Sequence, residues 1–104
     1  MGFQIDENSR SIPAYSKTNI TAAAPTTTLI KTGEGVLHSI TVTKPASTGT
    51  IEIDDAITHT NPIVGTITSP ATLVPYSIVL DIPFTTGLVI YTATAAQDIT
   101  VAYL

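Results

Sequence analysis

Side chains branched at Cβ dominate this chain: 20 Thr, 14 Ile and 7 Val stand among its 104 residues. Two heavy atoms on Cβ restrict χ1 in a helix but pack well on a pleated surface, so the excess predicts an all-β fold. Helical patterns are missing. No window spaces Leu, Glu, Lys, Gln and Ala at helical period, and the single alanine run, Ala22 to Ala24, stops against Pro25.

Turn residues cut the β-rich sequence into strands. Thr26 to Lys31 ends at Gly33-Glu34-Gly35, where glycines supply the turn. Val36 to Lys44 alternates, which predicts Val36, His38, Ile40 and Val42 on one face and Leu37, Ser39, Thr41 and Thr43 on the other. Beyond Pro45 to Gly49, Thr50 to Asp54 opposes Ile51 and Ile53 to Glu52 and Asp54, and a loop through Asp55, His59, Asn61 and Pro62 follows. Ile63 to Thr68 is the next strand. From Val74 to Ile82 the residues Val74, Tyr76, Ile78, Leu80 and Ile82 line one face, with Pro75 marking an edge position or a bulge. Leu88 to Ala93 and a terminal strand with Ile99, Val101 and Tyr103 inward complete about eight short strands. The expected architecture is an antiparallel β-sandwich, jelly-roll-like or a related Greek key, with Ile40, Val42, Ile78, Leu80 and Val101 in one core.

At 10.9 kDa the chain fits one domain, residues 17–104, preceded by an arm over residues 1–16. A core of this size leaves an isolated monomer marginal. Lys plus Arg number 4 against 8 Asp plus Glu, for a net charge of −4, which argues against a basic nucleic-acid-binding face. The absence of cysteine removes disulfides, thiolate zinc sites and a Cys nucleophile. Residues 1–10 show no apolar signal region, and no apolar run is long enough to span a membrane, so neither secretion nor a membrane partner is expected.

Residues with reactive side chains are sparse. His38 and Ser39 are strand neighbours and point to opposite faces, so they make no base–nucleophile pair, and a core-edge histidine with a backbone partner is expected instead. Asp54, Asp55 and His59 could surround a cation, but they match no calcium-loop motif, and a solvated Asx turn is the simpler expectation. Glu52 and Asp54 share a strand face at a spacing that also suits glycosidase carboxylates, although a solvated face or guarded edge does the same. Gly33-Glu34-Gly35 opens no helix and so is not a phosphate loop. Asn19-Ile20-Thr21 matches a glycosylation sequon, which a Thr-rich chain produces by chance. These residues predict no catalytic site, no metal and no cofactor.

Gly33 to His38 read Gly-Glu-Gly-Val-Leu-His, a short strand closes on Asp54, Phe84 to Leu88 read Phe-Thr-Thr-Gly-Leu, and Asp98 to Tyr103 read Asp-Ile-Thr-Val-Ala-Tyr. This pattern, spread over about two thirds of the chain, resembles small proteins encoded in tailed-phage genomes. The resemblance implies a non-enzymatic virion component made in the host cytoplasm. Within that class it implies a capsid decoration, or cement, protein that binds the outer surface of the major capsid protein. By the same analogy it implies a homotrimer, and it carries over no catalytic residues. A fibre or collar part, or a receptor- or glycan-binding β-domain, is the alternative. Glycan binding would need an aromatic platform, yet there is no Trp, and of 4 Tyr two, Tyr76 and Tyr103, fall on predicted core faces, leaving Tyr15 and Tyr91.

The arm carries Gln4, Asp6, Glu7, Asn8, Ser9 and Arg10 but little apolar surface to bury in its own domain. It is expected to order against a neighbouring subunit or the capsid through Phe3, Ile5, Ile12 and Tyr15, with a fraying tail as the default alternative.

Overall fold

A computed structural model describes residues 3–5, 11–21, 24–70 and 72–104. All regular structure among them is β: β1 (Phe3–Ile5), β2 (Ser11–Pro13), β3 (Ser16–Ile20), β4 (Thr26–Thr32), β5 (Gly35–Lys44), β6 (Thr50–Asp54), β7 (Ile63–Thr68), β8 (Tyr76–Phe84), β9 (Gly87–Ala93) and β10 (Asp98–Tyr103). β3 to β10 form two four-stranded sheets, ordered β3-β10-β5-β8 and β4-β9-β6-β7, and every pairing is antiparallel. The pairs nest: β6 with β7, β5 with β8, β4 with β9 and β3 with β10, alternate pairs falling in opposite sheets. The two antiparallel sheets make the all-β sandwich expected from the sequence.

The core lies between the sheets. Leu37, Ile40, Val42, Ile99 and Val101 from one sheet meet Ile51, Ile53, Leu88 and Ile90 from the other, all buried. β1 and β2 form a separate two-stranded ladder, with Gln4 opposite Ile12, that joins neither sheet. The side chains of Phe3, Ile5 and Ile12, and all of residues 6–10, lie outside the described part.

Register corrects the expected faces of β5. Leu37, expected outward, is fully buried, whereas Val36 and His38, expected inward, are half-buried. Against β10 the ladder passes from Leu37–Tyr103 to Ser39–Ala102, leaving His38 as an extra residue, and against β8 it passes from Leu37–Ile82 to Ser39–Val79. These bulges rephase the alternation, so Leu37, Ile40 and Val42 share one face. Ile78 and Leu80, expected in the core, are half-buried, Leu80 packing against it, because β8 is an edge strand with no neighbour beyond it among the described residues. The strand starts at Tyr76 rather than Val74, and Leu73 and Val74 are exposed in the loop before it.

Candidate functional site

The outer face of β6 carries the only cluster of three metal-ligating side chains found among the described residues. The pleat puts Glu52 and Asp54 on one side and Ile51 and Ile53 on the other. In register, Glu52 lies opposite Tyr91 and Asp54 opposite Val89, so these β9 side chains share that face. The β6–β7 loop folds back over it and brings His59 onto the Tyr91 ring, with centroids 3.7 Å apart and planes within 7°. His59 Nδ1 then lies 2.9 Å from Glu52 Oε2 and 3.0 Å from Asp54 Oδ2.

Asp54 was expected on a solvated turn, and the structure corrects this: its side chain has 0% exposure, against 20% for Glu52 and 38% for His59. The cause is the loop above it, which a two-residue alternation does not reveal. Burial is the largest influence raising the pKa of Glu52, helped by the hydrogen bond and negative charge of Asp54 and opposed by His59. Asp55, which might have joined the cluster, turns the other way. Its Oδ1 accepts from the backbone N–H groups of Thr86 at 2.8 Å and Gly87 at 3.3 Å, and the Thr85 N–H and hydroxyl donate to Oδ2 at 3.1 and 3.3 Å. The Thr86 N–H is the leading cause of a lowered Asp55 pKa, with Thr85 and Gly87 adding to it against a smaller burial effect. The loop is closed at its ends by the Asp55 N–H donating to the Pro62 carbonyl at 3.0 Å.

A shallow depression of about 250 Å³, lined by Glu52, His59, Thr60, Asn61 and Ile63, opens the cluster to solvent. Chemically, the three side chains can share a proton or hold a cation. Of the residues singled out from the sequence, Asp54 and His59 meet, Asp55 does not join them, and Glu52 completes the group. The Glu52/Asp54 alternation and the nearby histidine were both visible in the sequence. Only the fold of the loop unites them.

His38 occupies the opposite sheet. Its partner is a carboxylate rather than the backbone: Nδ1 lies 2.7 Å from Asp81 Oδ1. Tyr15 stacks on the same imidazole, centroids 4.1 Å apart and planes within 10°, so this residue of the expected arm anchors onto the sandwich just before β3. Asn19, the sequon residue, donates from Nδ2 to Asp98 Oδ1 at 2.8 Å and to the Ile99 carbonyl at 3.0 Å, fastening β3 to β10.

No helix among the described residues is long and apolar enough to cross a membrane. Comparison of the chain with protein-family models, with curated proteins and with solved structures gives no significant match.

Proposed function

We propose that this chain is a non-enzymatic structural protein of a tailed-phage virion, most specifically a capsid decoration protein that lies on the major capsid protein and assembles with copies of itself as a homotrimer. The reading joins the sequence resemblance to one feature of the surface. Residues Ala56 to Leu80 contain no Asp, Glu, Lys or Arg, and this stretch supplies β7 and the first five residues of β8. β7 is the edge of one sheet, β8 the edge of the other, and the connection between them carries Leu73 and Val74. Ile57, Ile63, Val64, Leu73, Val74 and Val79 are all exposed there, Val79 at 65%. The other two edge strands, β3 and β4, each carry a lysine, Lys17 and Lys31.

Open edges with little charge invite pairing and are normally blunted in monomers, so edges on which Asp81 of β8 is the one charged side chain suit a protein that works against other protein. A glycan platform is less suited, because Tyr15 and Tyr91 each give a ring face to a histidine.

Electron cryomicroscopy of purified particles of the phage that encodes the chain tests the proposal. Expected is a regular array on the shell, with copies in the hundreds. Density confined to a vertex or a fibre replaces decoration with the collar or fibre role, and particles lacking the chain overturn the virion assignment.

A further inference from the structure

We infer that Glu52, Asp54 and His59 form a binding site for a first-row divalent transition cation, with Zn2+ as the reference ion, which pins the β6–β7 loop to the outer face of its sheet. This inference is independent of the virion role.

The first argument is geometric. Two ligands bound to one cation by bonds of about 2.1 Å lie about 3.0 Å apart at right angles and about 3.4 Å apart at the tetrahedral angle. His59 Nδ1 stands 2.9 Å from Glu52 Oε2 and 3.0 Å from Asp54 Oδ2, so two of the three donor pairs are within a few tenths of an ångström of ligand spacing around such an ion. All three ligand atoms lie within 4.8 Å of one another.

The second argument comes from unmet bonding capacity. Asp54 is fully buried, its carboxylate faces the cluster through Oδ2, and its Oδ1 has no hydrogen-bond partner. Glu52 Oε2 is buried too, and the polar atom 2.9 Å from it is the same His59 Nδ1 that Asp54 Oδ2 approaches. One imidazole nitrogen carries at most one proton and cannot satisfy two carboxylates, whereas a dication placed among the donors answers both.

The donors are also held ready. The Tyr91 ring fixes the plane of the His59 imidazole, and strand register fixes the two carboxylates. Such support of ligands by their neighbours is how proteins orient a metal site. The depression beside Glu52, His59 and Asn61 provides an entry path and room for waters to complete the coordination.

Ligand chemistry then selects the ion. One imidazole with two carboxylates suits Zn2+, Mn2+ or Ni2+. Calcium takes bonds of about 2.3–2.6 Å to an all-oxygen shell, which calls for wider donor spacing and more carboxylate or carbonyl ligands than this site offers.

Calorimetric titration and thermal melting of the tag-free, chelator-treated full chain test the assignment. Zn2+ is expected to bind one-to-one and to raise the melting temperature, since a ligand that binds only the folded state stabilises it. His59→Gln and Glu52→Gln should each lose that binding while keeping the parent's far-UV spectrum, and His38→Gln, which alters the other histidine, should retain it. Absence of Zn2+ binding to the parent, undiminished binding by folded H59Q or E52Q, or stabilisation by Ca2+ equal to that by Zn2+ would each overturn the assignment. Should either variant fail to fold, Co2+ added to the parent still decides it: visible absorption bands showing mixed imidazole and carboxylate ligation support the site, and the spectrum of the aquo ion refutes it.

Discussion

Asp81 Oδ1 lies 2.7 Å from His38 Nδ1, and Asp81 itself holds a φ of +49°. The left-handed backbone sits where β8 bulges opposite His38, and an aspartate tolerates it better than most side chains. With 61% of the Asp81 side chain exposed, the charge contact contributes at most about 1 kcal/mol, so backbone strain decides the effect of substitution. Asp81→Gly should stay within about 1 kcal/mol of the parent and Asp81→Val should lose about 2 kcal/mol. Urea denaturation separates them, and equal losses would show that the contact, not the backbone, governs.

Core substitutions should grade with strand position. Ile40→Ala, in the middle of its sheet and fully buried, is expected to cost about 3–4 kcal/mol. Ile78→Ala, on the half-buried edge strand, is expected to cost about 1 kcal/mol, because less apolar surface returns to water. Equilibrium denaturation of both variants measures the gap.

Gly35 is required by contact rather than by turn conformation. A Cβ there would stand 2.2 Å from the Leu104 carbonyl oxygen and 2.7 Å from Phe84 Cζ. Gly35→Ala should therefore cost about 2 kcal/mol and loosen the backbone bonds that Val36 and Leu104 exchange, read as faster amide exchange at both residues.

Acid sensitivity should trace to Asp55. Its pKa is lowered in the folded state, so its stabilisation is complete above the ordinary carboxylate range and disappears as pH falls through the folded value. Asp55→Asn should be less stable than the parent at neutral pH, and the difference should shrink steadily on acidification. Melting curves from neutral pH downward check the sign. A gap that widens in acid would refute it.

On the β8 edge, Val79→Asp should leave monomer stability within about 0.5 kcal/mol, since Val79 is mostly solvent-facing. The same change should shift sedimentation toward a lighter species. An unaltered association state would remove this edge from the assembly surface.

The strands were largely legible in the sequence, because β-branched alternation and turn residues are local signals. Thr50–Asp54 and Ile63–Thr68 fall where alternation and Pro62 put them. Two features were not legible. Rephasing at His38 depends on what β8 and β10 place beside it, and burial of Asp54 depends on a loop folding back through His59. Both are tertiary facts. At the cluster, the residue types were visible but their convergence was not.

The nested pairing has a consequence for timing. Asn19 bonds to Asp98, at a separation of 79 residues, and β10 lies between β3 and β5. Until residues 98–103 arrive, those two strands have no partner to join them, and one wall of the sandwich is open. The pair β6 and β7 can close locally, but each outer pair must enclose all the chain already folded inside it, a route that non-local contacts make slow. A chain truncated before residue 98 therefore leaves β3 and β5 unjoined, and the four-stranded order β3-β10-β5-β8 cannot form without β10.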